Sequence, residues 1–439
     1  MILQSKKVAT ILVTAFIAIL GFLATTPSLL AASKERVLHS FNTKDGNLPV
    51  GNVIFDAAGN LYGTTVQGGV PGTGCGGYGC GTVFQLAPKG KGGWTERVLH
   101  SFGANSTDGV RPFAGLILDA GGNLYGTTSG GGDYGAGTVF RLASKANGKW
   151  SESVLHSFNA NGIDGYAPFA SLIFDATGNL YGTTEVGGAS GTGCGGYGCG
   201  TVFELSPSGG SKWTETVLYS FTGGSDGQAP EASLILDAAG NLYGTTVEGG
   251  DFSGTVFELT PRNNRQWTEV QLHVFNGEDG ENPAASLIFD AAGNLYSTIS
   301  GGGVNYCDGY GCGNVFELSP DGGGEWALTI LHSFDKRDGE DAQAGLAFDA
   351  AGNLYSTTYA GGTHDWGKGC DVLCGGTVFQ LAPGENGTWT ETVLHSFNRV
   401  APDGEFPLAR LVFDTAGNLY GTTTAGGSYG GGTVFEITR

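Results

Sequence analysis

Apolar residues in this chain come in short bursts separated by glycine-rich polar stretches, and the bursts recur in a fixed order. The first is a run ending in Asp, such as SLIFD at Ser171 to Asp175, followed by a tight Gly turn and NLYGTT. After a Gly-rich loop comes a segment close to TVFEL. A Pro/Gly/Ser loop then leads to a segment like WTETVLHSF at Trp389 to Phe397. No long stretch carries helical spacing, so strands are predicted throughout. The Gly turn between two short apolar runs predicts a hairpin. SLIF and TVFEL place apolar residues on both faces, as a sheet sandwiched between neighbours requires.

The hairpin core occurs seven times, starting at Asp56, Asp119, Asp175, Asp237, Asp290, Asp349 and Asp414. Successive aspartates are 63, 56, 62, 53, 59 and 65 residues apart. A period in this range means a stacked array or a ring. The ends of the chain favour the ring. A copy of the fourth segment, Arg36 to Phe41, precedes the first complete repeat, and the last repeat stops after TVFEI. The N-terminal strand can therefore complete the C-terminal blade, and the outermost repeats are as apolar as the inner ones, without the polar caps of a linear stack. The fold expected is all-β: a seven-bladed β-propeller of four-stranded antiparallel blades, one domain over residues 33–439.

Composition adds location and surface character. Lys6 and Lys7 precede an apolar run from Val8 to Ala24, with small residues at Ala31 and Ala32, the layout of a secretory signal over residues 1–32. That segment holds no Cys, so a lipoprotein is not expected. Retention of the segment as an anchor is the alternative to cleavage. A secreted or periplasmic protein follows, with no membrane insertion once the signal is removed. The formal net charge of -20 disfavours nucleic acid and anionic lipid as partners. The eight cysteines form four close pairs: Cys75 with Cys80, Cys194 with Cys199, Cys307 with Cys312, and Cys370 with Cys374. In an exported chain these read as local disulfides. Zinc is the alternative, and it would need four converging ligands that no pair supplies in its own repeat. The four longest of these spacings contain a pair, so the length variation sits between the second and third strands, on one face of the ring.

GNLYGTT, TVFEL and VLHSF together resemble the GloVer tandem repeat of bacterial exported choice-of-anchor proteins, over residues 36 to 439. The order of an apolar strand, a D-x-x-G-N turn and an aromatic strand is also similar to NHL-type propellers. The resemblance implies an exported propeller whose biochemical role is open, with SLIFD innermost and WTETVLHSF outermost. Such proteins carry a C-terminal anchor; this chain ends at its last repeat, so free secretion or periplasmic residence is expected.

Candidate chemistry concentrates in a DGxxP loop before each inner strand, with Asp45, Asp108, Asp164, Asp226, Asp279, Asp338 and Asp403. Placed around one end of the channel, and joined in later blades by Glu278, Glu281, Glu340, Asp341 and Glu405, these oxygens would suit Ca²⁺. Asp-Gly is also a common turn pair whose carboxylate bonds its own backbone, which gives these aspartates a structural role. His39, His100, His156, His273, His332 and His395 sit in the fourth segments, with Tyr219 replacing the seventh; that exchange argues for packed, hydrogen-bonded strand residues. Trp94, Trp150, Trp213, Trp267, Trp326 and Trp389 open those segments and suit blade-to-blade packing. Trp366, beside His364 and Asp365 in a cysteine loop, is the tryptophan that is a candidate for contacting a ligand, with a simple loop anchor as the plainer reading. A GxSxG pattern at Gly426 to Gly430 lacks the strand–turn–helix context of a serine nucleophile.

These features predict a non-enzymatic binding or scaffold propeller that meets a glycan or a cell-envelope protein on its disulfide-stapled face. A carbohydrate- or ester-active hydrolase or lyase using acidic residues at the channel mouth is the second reading. A structural surface or matrix component is the third. No resident cofactor is expected unless the acidic loops hold Ca²⁺.

Overall fold

Each repeat aspartate organises its own hairpin. Asp56 Oδ1 accepts the backbone N–H groups of Ala58 and Asn60, both at 2.9 Å. Its Oδ2 accepts the Asn60 amide at 2.7 Å and the Tyr62 hydroxyl at 3.0 Å. Gly59, at φ 80°, lets the turn close. The repeated Asp, Gly, Asn and Tyr of the motif are thus one hydrogen-bonded unit. Burial raises the pKa of such a carboxylate, but the bonds it accepts outweigh that, and Asp349 ends at about 2.

The computed structural model describes residues 33–439 except 73–74, 147, 190–193, 195, 211, 251–252, 264–265, 306, 308–310, 364–374 and 399. The expected signal segment 1–32 lies outside the described residues, and so does Trp366. Both Cys370 and Cys374 lie outside them too, so the disulfide expected between Cys370 and Cys374 is not among the described bonds.

Blade 1 comprises Ile54–Phe55, Leu61–Thr65, Thr82–Lys89 and Gly93–Ser101, paired in that order from the axis outward. Five further blades repeat the plan, ending with Trp389–Ser396. Blade 7 takes Val412–Phe413, Leu419–Thr423 and Thr433–Thr438 from the end of the chain and its fourth strand, Lys34–Ser40, from the beginning. The ring is closed as expected, and the fold is a seven-bladed β-propeller. Among the described residues no helix is long and apolar enough to cross a membrane.

The core lies in the seams between blades. One seam joins Tyr62, Val83 and Phe102 of blade 1 to Leu124, Phe140 and Leu142 of blade 2. The closing seam joins Phe41, Tyr420 and Val434 of blade 7 to Leu61 and Phe84 of blade 1. Phe102 and Phe140 meet edge-on at 5.0 Å, and Trp150 packs on Tyr62 of the preceding blade at 6.2 Å. Each fully buried Phe contributes about 2–3 kcal/mol. Threonines stitch the seams further: Thr64 Oγ1 donates to the carbonyl of Ala114, in the segment leading into the next inner strand, at 2.7 Å, and Thr127 does the same to Ala170 at 3.1 Å.

A β-bulge recurs in every fourth strand. In blade 1 Val83 faces His100 while Phe84 faces Val98, leaving Leu99 as the extra residue. The other six blades shift at the equivalent point. The extra leucine turns into the seam, where Leu99 packs on the core shared by blades 1 and 2. The bulge also re-aims the histidine that follows it.

Candidate functional site

The seven DGxxP aspartates do not line the channel. Each is held against the fourth strand that precedes it, near the outer edge of the blade. Asp108 Oδ1 lies 3.4 Å from His100 Nε2, and Asp164 Oδ2 lies 3.1 Å from His156 Nε2. Asp279, Asp338, Asp403 and Asp45 repeat this against His273 (3.0 Å), His332 (3.0 Å), His395 (3.3 Å) and His39 (3.4 Å). In the remaining blade the Tyr219 hydroxyl donates to Asp226 at 3.0 Å. Histidine and tyrosine exchange there because a ring N–H, in the tautomer that carries it on Nε2, and a phenol O–H can each meet the same carboxylate. The aspartates also fold their own loops: Asp108 Oδ2 accepts the Ala104 N–H at 3.0 Å and Asp45 Oδ1 accepts the Asn42 N–H at 2.8 Å. The glycine after each aspartate packs against the second strand, and a Cβ on Gly109 would stand 2.3 Å from Thr128 Oγ1.

The expectation of a carboxylate ring at the channel mouth is therefore corrected. The chain climbs from the outer strand and turns inward only after the Asp-Gly pair. The turn is made by the residue before the proline position. Leu48, Arg111, Ala167, Ala229, Asn282, Asp341 and Phe406 all have φ between 55° and 62°. That is left-handed backbone in non-glycine residues, at the same place in all seven loops. Such a conformation costs each residue about 1–2 kcal/mol and persists only where the surroundings impose it.

The cystine loops supply part of that constraint. Cys75–Cys80, Cys194–Cys199 and Cys307–Cys312 are bonded as expected, with Cα separations of 5.3, 5.3 and 4.9 Å. The carbonyl of the second cysteine accepts the N–H of the left-handed residue: Cys80 from Arg111 at 2.8 Å, Cys199 from Ala229 at 3.0 Å, Cys312 from Asp341 at 3.2 Å. In blades without a cystine, Ala136, Ser253 and Gly431 accept the same bond. In the blade that carries Cys370 and Cys374, the acceptor is Gly375, the residue just after Cys374, which takes the Phe406 N–H at 2.7 Å. The loop between second and third strands also pairs with the DGxxP segment, as in Gly109–Val110 with Gly130–Gly131. Cystines and DGxxP loops thus share one face.

On that face the channel opens into a cavity of about 450 Å³, lined by the inner segments of all seven blades. The position just after the proline site varies from blade to blade: Val50, Ala284 and Leu408 are aliphatic, Phe113 and Phe169 aromatic, Glu231 acidic and Gln343 an amide. One side is aromatic, with Phe113 and Phe169 edge-on at 4.8 Å. The next blade brings Glu231, whose carboxyl is pushed up to about 7, chiefly by burial and further by Glu185 and Glu248. Opposite stand Gln343, which donates to Asp341 at 2.9 Å, and Arg410, whose chain lies 3.6 Å from where a Gly345 Cβ would be. Deeper in the wall, small residues let the blades meet. The Ser171 N–H donates to Ser233 Oγ at 3.0 Å, and the Ser233 N–H to Ser286 Oγ at 3.2 Å. The residue after the proline carried no motif, so its irregularity was the signal that could have found it.

The Gloeobacter/Verrucomicrobia repeat model matches residues 28–194, 193–369 and 304–439. None of the curated proteins matches the chain. Among solved structures, the iodide structure of Trichoderma reesei Carbohydrate-Active Enzymes Family AA12 is similar at 12% identity and a TM-score of 0.40, covering 93% of this chain and 96% of that one. The repeat match spans every blade, and the chain belongs to the Gloeobacter/Verrucomicrobia repeat family.

Proposed function

We propose that this is an exported, non-enzymatic binding propeller whose recognition site is the channel mouth on the cystine face. The observation that carries the proposal is that aliphatic (Val50, Ala284, Leu408), aromatic (Phe113, Phe169), acidic (Glu231) and amide (Gln343) residues share one equivalent position around one cavity. The surrounding framework repeats from blade to blade, whereas this position does not. A structural role would tolerate one residue type throughout; recognition of an asymmetric ligand needs different groups converging. Disulfides are consistent with an extracellular or periplasmic setting.

The chemistry suits a glycan. Phe113 and Phe169 offer an apolar edge to a sugar face, and Glu231, Gln343 and Arg410 offer hydrogen bonds to hydroxyls. Screening the intact protein against bacterial and plant glycans, followed by calorimetry, tests this. Binding that is lost in Phe113→Ala and Glu231→Gln supports the site. Binding unaffected by both, or absent across the screen, removes it. A second reading rests on Glu231 itself: a carboxyl titrating at about 7 is suited to general-acid work on a glycosidic bond. Release of reducing ends by the wild type but not by Glu231→Gln would select that reading.

A further inference from the structure

We propose that the outer seams of the propeller bind a divalent transition-metal ion such as zinc, held by the His and Asp of one seam and a Glu from the next blade. The glutamate is the third residue of each WTET segment. Glu152 of blade 2 reaches His100 and Asp108; Glu215 of blade 3 reaches His156 and Asp164; Glu35 of blade 7 reaches His395 and Asp403. In these three clusters the candidate ligand atoms all lie within 4.8 Å of one another.

The arrangement is built for a cation. A tetrahedral ion with bonds of about 2.0–2.1 Å spaces its ligands about 3.3–3.4 Å apart. His100 Nε2 and Asp108 Oδ1 are 3.4 Å apart, and His395 Nε2 and Asp403 Oδ1 are 3.3 Å apart, while His156 Nε2 and Asp164 Oδ2 stand closer, at 3.1 Å. Both Asp side chains are deeply buried, with 1% and 8% exposure, and are fixed by backbone N–H groups. A second observation is on the glutamates. Glu35, Glu152 and Glu215 each have Oε1 withdrawn from solvent with no hydrogen-bond partner; Glu96, Glu269 and Glu391 share this, but among the described residues only the first three lie within 4.8 Å of both a His nitrogen and an Asp oxygen. A buried carboxylate oxygen left unpaired beside a second carboxylate has to be met by a proton or by a cation that displaces it. The imidazole nitrogen selects zinc-like ions over Ca²⁺, which prefers oxygen donors. The histidines remain about one-fifth exposed, so an ion can enter from the rim.

The ring contains its own controls. In the seam after blade 3 the histidine is Tyr219, and in the seam after blade 4 the glutamate position is Leu328. Neither can complete the set. This inference does not depend on the channel-mouth reading.

The test uses the full chain, stripped with chelator and titrated with zinc chloride by calorimetry, with metal content read by mass spectrometry. Wild type should take up as many as three zinc ions per chain, one for each complete cluster among the described residues. Glu35→Gln/Glu152→Gln/Glu215→Gln should weaken uptake at least about tenfold, while Glu269→Gln, in the Tyr219 seam, should leave it unchanged. Should the triple variant fail to fold, His100→Gln/His156→Gln/His395→Gln serves the same purpose. Cobalt added to the wild type should show the absorption bands of a tetrahedral nitrogen–oxygen site. No zinc uptake by folded wild type, or uptake indifferent to both triple variants, overturns the proposal.

Discussion

Val37, near the start of the described chain, is the ladder partner of Phe435, near its end. Around that pair the register runs from Lys34 opposite Thr438 to Ser40 opposite Thr433. Phe41 continues from the strand into the closing core beside Val434 and Phe84. Phe435 itself is buried on the other side of blade 7, against Phe397 and Val378 of blade 6, and Phe435→Ala should cost about 3–5 kcal/mol, seen as a lowered melting temperature. Deleting residues 33–41 should do more, because blade 7 then shows an open strand edge. Size-exclusion chromatography should find oligomers or aggregates. A deletion variant that stayed monomeric with unchanged melting would contradict the closure.

The left-handed residues give a second test. Ala229 holds φ at 55°, so Ala229→Gly should relieve strain and raise stability by up to about 1 kcal/mol after the entropic cost of glycine. Ala229→Val should lower it, since a branched side chain is worse there. Denaturant midpoints of the three proteins should fall in the order Gly, Ala, Val.

A third test concerns pH. Glu35, Glu96, Glu152, Glu215, Glu269 and Glu391 are raised to about 7, mainly by burial, with the neighbouring Asp carboxylate adding to it. Below the ordinary value near 4.5, folded and unfolded chains both hold these protons. Between there and about 7 only the folded chain does, so raising pH through that window costs stability. The hairpin aspartates work oppositely: their pKa values are lowered, and their contribution is lost as pH falls through the acid range. In chelator, the melting temperature should be higher near pH 5 than near pH 8. Changing the six glutamates to glutamine should flatten that slope.

Reduction supplies a fourth. Each disulfide closes a loop of about six residues and should contribute about 2 kcal/mol. The second cysteine anchors Arg111, Ala229 or Asp341, two residues ahead of Phe113, Glu231 or Gln343. Mild reductant should therefore lower melting modestly and weaken ligand binding more than a change at the outer edge would. Equal loss of both would contradict a positioning role.

Much of the architecture was legible because seven copies of one motif repeat both strand order and turn chemistry. Closure was legible from the odd strand at Arg36 to Phe41. The position of the DGxxP aspartates was not. A sequence places them ahead of the inner strand, but the left-handed residue and the bulge at Leu99 decide that the carboxylate stays with His100. Neither feature has a residue signature, since Leu48, Arg111 and Phe406 share a backbone conformation without sharing chemistry. The Glu152 partnership was hidden for another reason: it joins side chains from consecutive blades and exists only after the seams pack.

The shared blade carries a temporal consequence. Lys34–Ser40 is synthesised before any complete repeat, yet its partner Thr433–Thr438 follows every other described strand. Six blades can assemble from neighbouring segments as they emerge, while this strand waits with one edge unmatched. The circle is latched only when Thr433–Thr438 is in place, so a chain stopped short of that strand would carry a nearly finished but unlatched ring.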